Sequence, residues 1–287
     1  MKSNVSDRPK ASAGRVAVGV MNVILTLAAT AGLAAAQPAA SDRVTVNFSG
    51  GLDVLPGGAY VFRGITQESN PEITLWPYGD LGLTFATAER GVKNIRLNLG
   101  TWNSLHTGSS GLGGASARIH YERNFYGSVG AGLSGDLTVT ASYTRYTSPN
   151  RLFGTVKEVS VKAARADRVS PYALVAVELE GSSAADGARP GTYLELGLGP
   201  ALPIGQHLTL TVPVKVGLSL RDYYQHPQTG VDDRFGYGVV GALLTRSFGT
   251  WNVHAGVDVM RFGKTTTFFN GGKQVKVTGL LGVGWAY

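Results

Sequence analysis

From Val44 onward the chain alternates apolar and polar residues in one segment after another. The clearest segment runs from His207 to Arg221, where every second residue from Leu208 to Leu220 is Leu or Val and the intervening residues are mostly polar or small. Successive side chains of a strand point to opposite faces, so this pattern predicts one long strand with a single apolar face.

Eleven further segments alternate in the same way: 44–64 (interrupted at 56–58), 72–86, 93–103, 115–133, 136–147, 156–164, 171–180, 191–200, 234–248, 251–262 and 275–287. The connections between these segments alternate in length. Short ones, such as 132–135, 203–206 and 248–250, are followed by longer loops rich in Gly, Ser, Asn and Asp. Short turns at one end and long loops at the other are typical of outer-membrane barrels. The sequence therefore predicts an all-β, transmembrane, antiparallel up-and-down barrel of about 12 strands.

Alternation alone also fits a soluble periplasmic β protein, in which the leucines would fill the core. Two features favour the membrane barrel. About eight strands already enclose a packed core, so twelve would leave an interior that Val and Leu cannot fill. Aromatic residues on the apolar face also lie near strand ends, where interfacial girdles belong: Phe48, Phe85, Tyr143, Phe235, Trp251, Trp285 and Tyr287.

The last predicted strand alternates hydrophobic residues and closes on an aromatic pair, Trp285 and Tyr287. This arrangement resembles the recognition signal read by the bacterial outer-membrane assembly machinery. It implies that machinery as a partner, together with outer-membrane lipid and lipopolysaccharide.

Residues 1–36 have the pattern of a signal peptide, with a basic start, an apolar stretch from Val16 to Leu33 and small residues at Ala34-Ala35-Ala36. A single N-terminal membrane anchor is the alternative. The mature barrel would span 37–287 and carry a formal charge of +4, because the leader holds four basic residues and one acid of a chain at +7. So mild a charge does not favour nucleic acid as a partner. The absence of cysteine excludes disulfide scaffolds, thiolate metal sites and cysteine nucleophiles.

The segment Tyr60-Val61-Phe62-Arg63-Gly64-Ile65-Thr66-Gln67 resembles the Tyr-x-x-Arg-Gly-x-x-Gln signature near the mature N-terminus of a family of uncharacterised proteobacterial outer-membrane β-barrel proteins. The stretches 75–82 and 100–104 fit the same group, and the resemblance covers roughly the first third of the mature chain. It implies a barrel and an outer-membrane address, and no activity.

With the apolar faces turned to lipid, the charged residues of the opposite faces would line the lumen. The candidates are Arg63, Asp80, Arg96, Glu122, Glu178, Glu195, Lys215, Arg221, Arg246 and Asp258. Opposed charges would set a transverse field and modest selectivity in a water-filled path. In a narrower barrel the same charges would pair across the lumen and nearly close it. Trp76, Tyr78, Trp102 and Tyr126 on the same face suggest internal packing or a plug contact, or else a stacking track for sugars or nucleosides.

No motif in the sequence indicates an enzyme, a metal site or a cofactor. The five histidines form no H-x-H or H-x-x-x-H pair, and there is no G-x-S-x-G elbow. His120 with Glu122 is the best local pair, and Asp232-Asp233 alone would make a poor calcium site. The sequence thus favours a passive or weakly selective channel for small solutes. The alternatives are a structural or surface-interaction barrel with a closed lumen and, less favoured, a lipid-modifying barrel enzyme with a Ser–His pair.

Overall fold

A computed structural model of the protein describes residues 44–57, 60–67, 71–87, 91–108, 119–183 and 188–287. The predicted signal peptide, 1–36, lies outside these residues. The strands are β1 (Val44–Pro56), β2 (Val61–Phe62), β3 (Ile65–Thr66), β4 (Pro71–Ala86), β5 (Val92–Gly108), β6 (His120–Leu133), β7 (Leu137–Thr147), β8 (Val156–Arg165), β9 (Tyr172–Glu180), β10 (Thr192–Leu198), β11 (Ala201–Pro203), β12 (Leu208–Thr211), β13 (Val214–Arg221), β14 (Phe235–Phe248), β15 (Trp251–Phe262) and β16 (Val275–Ala286). A short helix, α1 (Lys264–Phe269), lies between β15 and β16.

The strands close into one antiparallel barrel, because β1 pairs with β16 and each other wall strand pairs with its neighbours in the chain. β10 and β11 form two parts of one wall strand, and so do β12 and β13, which gives twelve wall strands. The breaks fall at Pro200 and Pro213, residues that cannot donate a backbone hydrogen bond. The predicted twelve-stranded antiparallel barrel is confirmed.

The apolar face of the strands points outward. Large hydrophobic side chains are exposed all around the wall, among them Val46, Leu99, Val129, Val161, Val240, Val257 and Val277. Exposed apolar side chains all around the wall are unfavourable in water and match the hydrocarbon band of a membrane barrel. In the described part of the chain, no helix is long and apolar enough to span a membrane.

The two ends of the barrel differ. Both Val44 and Ala286 lie at the end where the connections are short, which we call the turn end. The long connections lie at the opposite end, which we call the loop end. In outer-membrane barrels the short turns face the periplasm and the long loops face outward.

Residues 60–67 depart from the predicted first strand. They leave the wall after Pro56 and fold back as a hairpin, in which β2 pairs with β3 and with no other strand of the described residues. Seven of its eight residues are buried, and Thr66 is half-buried. We call this hairpin, Tyr60–Gln67, the plug loop, since it fills the lumen at the loop end.

Candidate functional site

The spacing of the Tyr-x-x-Arg-Gly-x-x-Gln motif matches the geometry of the plug loop. Tyr60 and Gln67 face each other at the base of the hairpin, where the Gln67 N–H donates to the Tyr60 carbonyl at 2.9 Å. Arg63 and Gly64 form the tip, with φ of 43° and 80°. Positive φ at both central residues is what a two-residue type I′ hairpin turn requires. The motif therefore places its arginine at the tip of a tight turn.

Arg63 anchors the tip to the opposite wall. Its Nη1 and Nη2 atoms donate to the two carboxylate oxygens of Glu158 on β8, at 2.7 and 3.0 Å. Nη1 also donates to the Tyr223 hydroxyl at 3.0 Å, and the guanidinium lies 4.2 Å from the centroid of the Tyr193 ring. Both members of the ion pair are buried, with side-chain exposures of 7% and 2%. A two-pronged, desolvated pair of this kind fixes orientation as well as charge.

The backbone of the tip is held from the other side of the barrel. The Tyr224 hydroxyl donates to the Arg63 carbonyl at 2.9 Å, and the Asn270 side chain, which follows α1, donates to the Gly64 carbonyl at 2.7 Å. A Cβ atom added at Gly64 would lie 2.8 Å from the Tyr237 ring. The tip therefore fits closely between β8 and the β14–α1 side of the wall.

The base of the plug loop rests on an aromatic cluster. Tyr60 lies edge-on to Trp76, with ring centroids 5.2 Å apart, and its hydroxyl donates to Glu122 at 3.2 Å. Burial raises the pKa of the Tyr60 phenol well above its usual range, and the charge of Glu122 raises it further. The Tyr60 hydroxyl therefore stays a donor at any physiological pH. Trp102 and Tyr121 belong to the same cluster.

The carboxylates predicted to line the lumen are mostly bound to partners within the protein. Glu195 accepts hydrogen bonds from three tyrosine hydroxyls, those of Tyr172, Tyr193 and Tyr237, each at 2.7 Å. Glu178 accepts from the backbone N–H groups of Ser183 and Gly191, at 2.6 and 2.7 Å. These side chains point inward, where they build the closed half of the lumen.

The remaining lumen candidates other than Arg246 divide into three groups. Asp80, Lys215 and Asp258 point inward and are half-buried, and Arg96 points inward and is exposed. Arg221 is exposed at the loop end of β13, next to an irregularity in the pairing with β10.

Arg246 differs from the prediction and lies on the outward face, opposite the exposed Val253. The cause is an irregularity between β13 and β14, where Gly217 pairs with Tyr237 and Leu218 with Phe235. This bulge shifts the alternation of β14 by one residue. Tyr237 and Val239 consequently point inward, and Val240 points outward.

The aromatic pair Trp285 and Tyr287 lies at the turn end, with ring centroids 5.9 Å apart, and Tyr287 is exposed. The position is accessible at the membrane rim, so the assembly signal stays a prediction that the geometry permits.

A Ser–His contact does occur, although it was not among the sequence candidates. Ser104 Oγ lies 2.5 Å from His106 Nε2 on β5, and the His106 ring stacks on Tyr121 with centroids 4.4 Å apart. The Ser-x-His spacing, which puts both side chains on one face of a strand, was the available signal. Both residues are buried on the inward face. Lipid cannot reach them there, so the pair offers no support for a lipid-modifying enzyme.

His120, the predicted partner of Glu122, instead contacts Asn103 at 3.1 Å. Asp232 and Asp233 accept hydrogen bonds from loop and helix N–H groups, including those of Tyr224 and Thr265. Within the described ranges, no three His, Asp or Glu side chains converge as metal ligands.

Towards the turn end the lumen is open and polar. A cavity of about 420 Å³ lies against β1, β4 and β5, and its lining includes Asp80, Arg96 and Asn98. We call this open turn-end half of the lumen the cup. The wall strands enclose both halves, and the difference between them is the plug loop.

Comparisons with known proteins give no family-model match and no match among curated proteins. Among solved structures, the chain is similar to the NanC porin, at 12% identity and a TM-score of 0.39 over 84% of this chain and 99% of that one. An outer-membrane channel from Pseudomonas putida F1 matches at 12% identity and a TM-score of 0.45, over 87% and 97%. The translocator domain of the autotransporter NalP from Neisseria meningitidis matches at 15% and 0.40, over 86% and 88%.

Proposed function

We propose that this protein is an outer-membrane channel for small solutes whose loop end is closed by the plug loop. The observation that carries the proposal is that one hairpin, separable from the wall, occupies the lumen. Among the described residues, its strands pair only with each other. Its hydrogen bonds to the barrel are made by side chains and by the backbone carbonyls of Arg63, Gly64 and Gln67. Movement of residues 60–67 would therefore leave every hydrogen bond between wall strands in place.

The lumen below the plug loop supports the same proposal. The cup holds a polar cavity of about 420 Å³, and its lining includes charged side chains. Polar and charged groups that keep unused hydrogen-bonding capacity favour water and hydrated solutes over protein packing. The small solute is the implied partner, and the membrane lipid and lipopolysaccharide surround the wall.

A second candidate function is a closed barrel that works through its loops. The observation that favours it is the burial of the Arg63–Glu158 pair together with the bonds that Tyr224 and Asn270 make to the tip. Such a plug loop would be a permanent part of the core, and the barrel would support a structural or surface-interaction role.

Solute flux into proteoliposomes separates the two functions. We propose a plug-deleted variant in which residues 58–69 are replaced by four Gly and Ser residues. Pro56 and Ile73 are paired, so a short connection can join β1 to β4. The channel proposal predicts that proteoliposomes with the plug-deleted variant swell rapidly in small solutes and do not swell in solutes above a size limit. Proteoliposomes with the wild type should swell slowly.

A lock on the plug loop supplies the control. The chain has no cysteine, so a Thr66→Cys/Asn270→Cys variant carries only the introduced pair, at positions whose side chains are in contact. Oxidation should abolish the residual flux of this variant, and reduction should restore it. A plug-deleted variant that folds and remains impermeable would reject the channel and favour the closed barrel.

A further inference from the structure

The cavity in the cup is built as a regular grid of side chains. Three inward rows cross β1, β4 and β5, and their middle row is Asn47, Gly82 and Asn98. Gly82 leaves a depression between two carboxamides, since a Cβ atom there would lie 2.7 Å from Asn98 Oδ1. Hydroxyl groups of Thr45, Thr84 and Ser49 lie in the rows on either side.

The polar groups of the grid are only weakly bonded to one another. The Asn47 amide donates to the Thr84 hydroxyl at 3.4 Å, and the Asn98 amide donates to Asp80 at 3.4 Å. Both distances are at the long limit for a hydrogen bond. Asn47 and Arg96 are exposed to the cup. The grid therefore keeps donors and acceptors that a ligand can use.

The charges of the grid oppose each other. Asp80 lies in the deepest row, where the Tyr126 hydroxyl holds one carboxylate oxygen at 2.7 Å, and Arg96 lies in the row nearest the rim. Asp80 disfavours an anion and Arg96 disfavours a cation, so neither sign of ligand gains from the whole grid. A ligand with no net charge that both donates and accepts hydrogen bonds can use the whole grid.

We propose that this grid binds a neutral polyhydroxylated solute, that is, a small saccharide or polyol. Adjacent hydroxyl groups of such a molecule suit planar carboxamide and carboxylate groups, each of which presents two polar positions. The volume of the cavity lies in the lower part of the usual range for ligand pockets, roughly 300–1,000 Å³. As the solute class of the channel, the assignment rests on the proposed function. Binding itself requires only that the cup be open to the periplasm.

Saturation-transfer NMR of the full barrel in phosphocholine nanodiscs tests the assignment with three matched probes: glucose, glucose 6-phosphate and glucosamine. We expect saturation of glucose protons, with weaker transfer to the anionic and cationic analogues. Asn98→Leu and Asn47→Leu keep the side-chain size and remove its hydrogen bonds. Each should weaken glucose binding roughly three- to tenfold, as expected for the loss of one or two hydrogen bonds.

Thr140→Val is the matched control, because Thr140 points inward on β7, outside the cavity. It should leave glucose binding unchanged. The assignment is overturned if folded wild-type protein transfers no saturation to glucose, if the two leucine variants bind glucose as the wild type does, or if glucose 6-phosphate or glucosamine binds more tightly than glucose. Because the NMR readout does not require the plug loop to move, glucose binding by a barrel that never conducts would reject the channel and retain the saccharide site.

Discussion

The two halves of the lumen are enclosed by the same twelve strands and use polar groups in opposite ways. In the loop-end half, Glu158 and Glu195 are buried and each is bonded to several donors of the protein. In the cup, Arg96 and Asn47 are exposed, and the hydrogen bond that Asn47 donates is long. The first arrangement is that of a protein core, and the second is that of a binding surface.

This difference shows that the wall alone does not decide whether the barrel is closed. Twelve strands enclose more space than their own side chains fill, so closure needs an added element. The plug loop supplies it, and Arg63 brings the charge that Glu158 requires in order to be buried. A substitution in the plug loop should therefore disturb the structure of the loop-end half strongly and that of the cup little.

The largest effect is expected from Arg63→Ala, which leaves the Glu158 carboxylate buried without its partner. Removal of one member of a buried ion pair typically costs about 3–5 kcal/mol. We expect loss of amide protection in residues 60–67, measured by hydrogen exchange, while the strands of the wall keep theirs.

The double variant Arg63→Met/Glu158→Leu is its control. It removes both charges and retains apolar volume, so much of the protection should return. Protection of the plug loop that survives Arg63→Ala unchanged would show that the ion pair does not hold it.

A smaller effect is expected from Gly64→Ala, compared with Gly57→Ala. Both glycines have positive φ, 80° and 72°, so each substitution strains the backbone by about 1–2 kcal/mol. A Cβ atom at Gly64 also meets Tyr237, whereas nothing lies within 4 Å of one at Gly57. Gly64→Ala should therefore lower the free energy of opening of the plug loop, measured by hydrogen exchange, more than Gly57→Ala does. Equal effects would mean that the tip is not seated against Tyr237.

Tyr224→Phe should have a still more local effect. The substitution removes the donor to the Arg63 carbonyl and leaves a buried acceptor unsatisfied, at a cost of roughly 1–3 kcal/mol. Hydrogen exchange of the tip should rise accordingly. Tyr143→Phe, on the outward face of β7, should change nothing in the plug loop. If the two variants behave alike, Tyr224 does not help to hold the tip.

The smallest effect is expected from Arg96→Gln in the cup. Arg96 is exposed, so the folding stability should stay within about 0.5 kcal/mol of the wild type, measured by urea unfolding in lipid vesicles. A loss of several times this amount would show that the cup is part of the structural core.

Much of the fold could be predicted because a membrane barrel imposes a strict two-residue period on every strand. The pattern fails where both faces of a segment are apolar or where a bulge changes the phase. β14 combines the two conditions, since Val239 and Val240 are consecutive and the bulge lies between Phe235 and Tyr237, and Arg246 was consequently assigned to the wrong face. The helix α1 lies in a predicted loop and is only six residues long, too short to show a helical period.

The plug loop was harder to predict than the wall. Tyr60, Val61 and Phe62 are three consecutive apolar residues, which were included in the first predicted strand. A hairpin buried on all sides has no polar face that would distinguish it from such a strand. Arg63 was recognised as facing the lumen, but its partner Glu158 is 95 residues away in the chain. Only the three-dimensional closure of the barrel brings the two together.

Single-channel conductance of the refolded barrel, residues 37–287, in planar bilayers tests the central claim most directly, with the wild type and the plug-deleted variant compared side by side. Heat-modifiable migration on gels would first establish that both barrels are folded. We predict a silent or rarely opening wild type, and discrete, reproducible conductance steps for the plug-deleted variant. Steps of the same size in both proteins, or a folded plug-deleted variant that stays silent, would contradict the claim that the plug loop closes an otherwise open lumen.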